Sequence, residues 1–202
     1  MPRQRSDIDQ RIVRAATNRF LTEGVDGSSL RSIAADAATN VGMIYYYFPT
    51  KDDLFLAVVE SAYARLLDDL TQVLSPEKPV RKRLEGVYQR LARMSAAEFD
   101  VIRIIVREAM ISSSRLRKLF ARFSAGHLPL LFGALQSGLD QGTFRQSTPL
   151  PALLAAIAST SILPQLAHRR ISAELPSVAA LLPGPEALAA ALFAIVMDGA
   201  TD

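Results

Sequence analysis

The residue types that catalysis and metal binding draw on are scarce in this 202-residue chain, which narrows what it can do. It has no cysteine and two histidines, so thiolate zinc sites, disulfide frameworks and thiol redox sensing are excluded. It shows no nucleophile elbow, no glycine loop to cradle phosphate and no metal-spaced histidine pair, so no enzyme, metal or cofactor is predicted. The segment that could do chemistry is Val41-Gly42-Met43-Ile44-Tyr45-Tyr46-Tyr47-Phe48-Pro49, which contains no carboxylate. On a helix advancing about 100° per residue, Ile44 and Phe48 share one face. Gly42, Met43 and Tyr46 point the opposite way, with Tyr45 and Tyr47 on the flanks. A helix entering the major groove of DNA needs such a surface: slim, free of acids that repel phosphate, edged by hydroxyls that grip the backbone. Three tyrosines packed against a neighbouring helix would show the same composition; the wheel argues against that for Tyr46 and predicts partial burial for Tyr45.

The surrounding sequence supplies elements that could position this face. A first helix is predicted from an N-cap at Ser6, with Asp9 completing a capping box and Ile8, Ile12, Ala16 and Phe20 forming one apolar stripe. Gly24 ends it. Val25-Asp26-Gly27 is a turn, Ser28 or Ser29 caps a short second helix, and Leu30, Ile33, Ala34 and Ala37 give that helix its buried face. After the connection Ala38-Thr39-Asn40, Asn40 is suited to cap the third helix, Val41 to Phe48. Pro49 stops it, and Thr50 with Asp53 caps the next. Three short helices with a tight turn between the second and third are the ingredients of a helix-turn-helix.

Ile12-Val13, Ala16, Phe20, Gly24, Ser28-Ser29-Leu30, Ile33-Ala34 and Gly42-Met43-Ile44-Tyr45-Tyr46-Tyr47-Phe48-Pro49-Thr50-Lys51-Asp52-Asp53-Leu54 together resemble the N-terminal head of TetR-family transcriptional regulators, over roughly residues 8–58. Two positions depart from the family pattern: Ala38 stands where a glycine is usual, and Tyr47 where histidine is frequent. The resemblance implies that Ser29, Tyr45, Tyr47 and Lys51 hold phosphates, while Arg31, Asn40, Val41, Gly42, Met43 and Tyr46 face bases. Arg31 is the sharpest candidate for base readout, because a guanidinium pairs bidentately with guanine. Its alternative is a solvated surface arginine. Arg3 and Arg5 could form a minor-groove arm or a disordered end.

The remainder also reads as helix. A long helix is predicted from Lys51 to about Leu74, then a break at Ser75-Pro76-Glu77-Lys78-Pro79. Val80, Leu84, Val87, Leu91 and Met94 mark the next, and helix continues over 98–111 and 115–141, with Pro129 kinking or splitting the latter. Leu150–Ala167 and Ala187–Met197 contain no charge. Pro151, Pro164, Ser159, Thr160, Ser161 and Gln165 argue against a membrane span, and the alanine content favours close helix packing in a core and against a partner. Left exposed, these stretches would form a large apolar patch, so a homodimer built as a four-helix bundle is expected. Arg103, His127, Gln165 and His168 lie on apolar faces, either lining a small-molecule cavity or as satisfied core groups.

Charge does not decide the partner. The net charge is +3, yet residues 1–77 carry 8 basic against 11 acidic groups, residues 78–122 carry 12 against 4, and residues 123–202 carry 3 against 5. The positive excess thus lies in the middle of the chain, and a DNA-binding reading rests on motif geometry. The expectation is an all-α chain: a helix-turn-helix DNA-binding domain at 1–50, and a helical ligand-binding and dimerisation domain at 51–202. It would be a cytoplasmic repressor, released from a palindromic operator in double-stranded DNA by a small-molecule effector, with no membrane partner. The rival is a helical dimeric interaction module, or a ligand-binding protein without operator-specific DNA binding.

Overall fold

The chain folds as apolar periodicity and caps dictate, into helices joined by short turns. The computed structural model describes residues 7–200, so the N-cap expected at Ser6 and the arm expected at Arg3 and Arg5 lie outside the described residues. The helices are α1 (Asp7–Gly27), α2 (Leu30–Asp36), α3 (Val41–Tyr47), α4 (Lys51–Val73), α5 (Val80–Ala92), α6 (Ala96–Ile111), α7 (Ser113–Ser124), α8 (His127–Asp140), α9 (Leu150–Glu174), α10 (Pro176–Ala179) and α11 (Pro185–Ala200). No strand occurs among the described residues. They form two compact units: residues up to Leu66 with Ala96–Arg122, and Leu67–Ser95 with the residues from Phe123 onward.

In unit 1, α1 packs on α2, α3 and α6, burying Ile12, Ala16, Phe20, Ile33, Ala34 and Ile44. Gly24 interrupts α1 with φ 78° and ψ 169°, a positive-φ extended conformation that is essentially restricted to glycine. It also admits the Arg107 guanidinium, which would lie 2.7 Å from a Cβ at this position. The apolar residues of α7 do not share one buried face. Leu116 and Phe120 are exposed, while Arg115 and Leu119 are buried. The charged residue takes the inner face because carboxylates wait for it there.

In unit 2, α5 packs on α8, α9 and α11, and α9 on α8, α10 and α11. Val80, Leu84, Val87, Leu91 and Met94 are all buried, as their spacing predicts. The helix expected over 115–141 splits at Ala125-Gly126. Pro129 falls in the first turn of α8, where a missing N–H leaves no hydrogen bond unmade. Gly142, at φ 70°, closes α8 as Thr143 N–H reaches Gly138 O (2.8 Å). On α9, Leu153, Ile157, Ser161 and Gln165 point inward, while Ala152, Ala155, Ser159, Leu163 and Ala167 form an exposed stripe. On α11, Ala187, Ala190, Ala191 and Ile195 form another. By length and composition α9 could cross a membrane; its outward stripe of small residues suits close approach of another helix instead.

Candidate nucleic-acid interface

Both short helices of the head begin on the caps expected for them. Ser29 Oγ accepts the Ser32 N–H at 3.0 Å, and Asn40 Oδ1 accepts the Met43 N–H at 3.0 Å. Each satisfies a donor that a helix N-terminus leaves open. The turn between them is a Schellman closure, with Thr39 N–H bonded to Ala34 O at 2.9 Å. Ala38 supplies its left-handed residue at φ 49°, alone among the described non-glycine residues. The departure from glycine noted in the sequence therefore carries backbone strain. After α3, Phe48 N–H bonds Ile44 O, and Thr50 and Asp53 form a reciprocal box: Asp53 N–H to Thr50 Oγ1 at 3.1 Å, Thr50 N–H to Asp53 Oδ2 at 3.0 Å.

This scaffold turns Gly42 and Tyr46 outward as expected, while Tyr45 is more exposed and Met43 less exposed than the wheel places them. Ile44 is buried, Gly42 is exposed, and Tyr45 and Tyr46 are 54% and 59% exposed. Tyr47 is half-buried beneath Tyr46, their rings edge-on with centroids 5.1 Å apart. Val41 and Met43 are half-buried, and Ser29, Arg31 and Asn40 are exposed. Arg31 makes no ion pair among the described residues. Lys51 donates from Nζ to the Asp26 carbonyl at 3.1 Å, bridging the start of α4 to the end of α1. On the flank, Arg19 binds Asp36 through Nε (2.6 Å) and Nη2 (3.0 Å), and Glu23 through Nη1 (2.6 Å). The Arg19 hydrogen bonds hold the Asp36 carboxyl below its ordinary range.

Of the four polar residues expected on apolar faces, one lies in unit 1 and three in unit 2. Arg103, in unit 1, pairs with Asp100 at 3.6 Å and lies 5.8 Å from the Phe99 ring centroid. In unit 2 the His127 ring stands 5.0 Å from Phe123. Gln165 and His168 are brought together at the start of α11, where Gln165 Nε2 donates to Pro185 O (2.9 Å) and His168 Nε2 meets Pro183 O (3.0 Å). Gln165 Oε1 and His168 Nδ1 are buried without a hydrogen-bond partner. An open groove of about 380 Å³ lies in unit 1, between Asp53, Leu56, Val59 and Glu60 of α4 and Lys118, Ala121 and Arg122 of α7. Within its lining, Arg122 makes two 2.8 Å bonds to Glu60, its guanidinium 4.5 Å from the Tyr63 ring centroid.

Sequence reasoning missed the group that anchors the head. Buried Arg115 reaches Asp26, Asp52 and Glu108. Burial opposes its charge, but the hydrogen bond to Asp26 and the Glu108 carboxylate outweigh that and raise its pKa. Arg115 in turn lowers that of Asp26. The available signal was the phase of Arg115 with Leu119, one turn apart.

The exposed, acid-free face of a capped third helix, hung on a tight turn, defines a helix-turn-helix DNA reader. A family model of bacterial regulatory proteins of the tetR family matches residues 12–58. The chain is 29% identical over 161 residues to the HTH-type transcriptional repressor SCO4008 of Streptomyces coelicolor, covering 77% of this chain and 79% of the relative. It is 27% identical over 157 residues to the repressor NicS of Pseudomonas putida, covering 73% and 71%. In fold it is similar to the transcriptional regulator FadR of Bacillus subtilis, solved with stearoyl-CoA: the TM-score is 0.75 at 18% identity, covering 94% of this chain and 98% of FadR. The chain is a DNA-binding transcriptional regulator whose residues 12–58 match the tetR-family head.

Proposed function

We propose that the protein is a homodimeric repressor that leaves a palindromic operator when a small molecule binds. The observation that carries this reading is the outward face of α3, with Gly42, Tyr45 and Tyr46 exposed, Arg31 exposed on α2, and no carboxylate on the third helix. Arg31, Asn40, Val41, Gly42, Met43 and Tyr46 read bases, and Ser29, Tyr45, Tyr47 and Lys51 hold phosphates. The exposed small-residue stripes of α9 and α11 supply the dimer surface, and two heads read two half-sites about one turn of DNA apart. A repressor acts where the DNA is, so the proposed compartment is the cytoplasm. Residues 1–50 read DNA; residues 51–202 bind effector and partner, with Arg103, His127, Gln165 and His168 as first candidates for effector contacts.

The test is selection of duplexes from a random-sequence pool, followed by titration of the selected duplex over a range of salt. Enrichment of an inverted repeat, with affinity falling steeply as salt rises, is the expected result. No enrichment over bulk DNA would overturn it. Because FadR of the same fold was solved with stearoyl-CoA, long-chain acyl-CoA is the first effector to try against the selected complex.

A further inference from the structure

Arg115 is a buried guanidinium that reaches three other helices. Its Nε lies 2.8 Å from Glu108 Oε2 on α6, Nη2 donates to Asp26 Oδ2 (2.5 Å) at the end of α1, and Nη1 donates to Asp52 Oδ1 (3.3 Å) in the first turn of α4. Glu108 is buried as well, and its Oε1 accepts the Val25 N–H at 3.3 Å. Further ties converge on the same spot. Arg107 lies against the bare Cα of Gly24, Lys51 donates to the Asp26 carbonyl, and Lys118 pairs with Asp52 at 3.1 Å.

The anchored points are those from which the DNA-reading helices hang. The chain runs from Asp26 through Ser28-Ser29 into α2, and out of α3 through Phe48-Pro49-Thr50 to Asp52. An exposed ion pair would hold such points loosely, since solvent and salt screen it. A buried guanidinium is tolerated only while its partners satisfy it, so arrangements that separate it from them are penalised. Its planar fork also fixes direction as well as distance.

We propose that Glu108 and Arg115 are a positioning pair for operator binding. They lock the end of α1 and the start of α4 to α6–α7, so that α2 and α3 are presented in one orientation and any displacement of α6–α7 is carried to them. This rests on the reading of the chain as an operator-binding regulator.

The test separates positioning from mere stability. Arg115→Met alone leaves Glu108 buried without its cation and is expected to lower the thermal midpoint. In the double variant Glu108→Gln/Arg115→Met both buried charges are gone, so the midpoint returns toward that of the native protein. Its affinity for a duplex selected by the native protein is expected to stay about ten-fold or more weaker, equivalent to roughly 1.4 kcal/mol. Amide exchange is expected to quicken at 25–32 and 48–54 while α9 and α11 keep their protection. Arg115→Lys, which keeps charge but loses the fork, is expected to fall between. Recovery of native affinity by the double variant overturns the proposal, as does exchange rising equally in α9 and α11. If the native protein selects no duplex, the operator-binding reading fails by itself, and unchanged exchange at 25–32 and 48–54 in the double variant would then overturn the lock separately.

Discussion

Both compact units have apolar cores and inter-helix ion pairs, Arg90–Asp69 and Arg93–Glu186 in unit 2 among them, but among the described residues only unit 1 ties its helices through a buried arginine–glutamate pair. In unit 1 the helices are joined by directed ionic contacts: Arg19 to Asp36, Arg115 to Asp26, Asp52 and Glu108, Lys118 to Asp52, and Arg122 to Glu60. In unit 2, α9 packs on α11, Leu153, Ile157, Ala189, Phe193 and Met197 are buried, and the outer stripes of both helices are exposed and mostly apolar. Directed contacts fix orientation, which a DNA-reading head requires. Apolar area is indifferent to direction, and an uncovered stripe of it favours association with a matching surface. Under the proposed reading, the difference gives geometry to one unit and assembly to the other.

The strongest way to break that comparison is a charge on the α11 stripe. Ala191→Arg places an unpaired cation where a partner helix is expected, and should convert the dimer wholly to monomer by light scattering. Ser114→Arg, equally exposed on α7, should leave the mass unchanged. A dimer surviving Ala191→Arg would move the interface off α11.

Next in size is Gly24→Ala. The residue's φ and ψ are essentially closed to alanine, and its Cβ would strike the Arg107 guanidinium. A loss of about 2–3 kcal/mol is expected in urea unfolding followed by a unit 1 probe. A loss under about 0.5 kcal/mol would mean that α1 relaxes without its glycine.

Arg31→Ala should cost roughly 1–3 kcal/mol on the selected duplex and relax preference at one base pair per half-site. Lys51→Ala should weaken selected and random DNA alike and flatten the salt dependence. Equal losses on both duplexes for Arg31→Ala would return that residue to the solvated surface.

Much of this was legible in the sequence because it is local. Ser29, Asn40 and the Thr50–Asp53 box cap helices within one turn of themselves, so residue type and spacing suffice to place them. Ala38 announced its strain by standing where glycine is usual. The anchor of the head was not legible, because Arg115 finds Asp26 and Asp52 across long stretches of chain, and a cation among Leu116, Phe120 and Phe123 reads as the polar side of an apolar helix. Gln165 was legible as a polar group on an inward face. That it grips the Pro185 carbonyl depends on where α11 begins, which no periodicity states.

Relieving strain sharpens the picture further. Ala38→Gly should stabilise unit 1 by about 0.5–1 kcal/mol, since the left-handed penalty of alanine slightly exceeds the entropy that glycine adds to the unfolded chain. A decrease in stability would show that the methyl group of Ala38 contributes packing that outweighs its backbone cost.

The smallest effect concerns pH and salt, and it tests whether burial is what separates the anchor from ordinary ion pairs. Arg19 holds the Asp36 carboxyl below its ordinary pKa, and Asp36 is exposed. A carboxylate whose folded pKa is depressed contributes stability above its unfolded value, about 3.9, and loses that contribution as pH falls through the lower folded value. Asp36→Asn should therefore be slightly less stable than the native protein from neutral pH down to about 4, and the gap should close below that. High salt should close the same gap at neutral pH, because the pair is open to solvent. The deficit of Arg115→Met should persist in high salt, because its partner Glu108 is screened by protein rather than by ions. Parallel urea titrations at low and high salt read both. If salt erased both deficits alike, the anchor would behave as a surface pair, and the directional rigidity assigned to unit 1 would have to come from its apolar packing around Ile12, Phe20 and Ile44 instead.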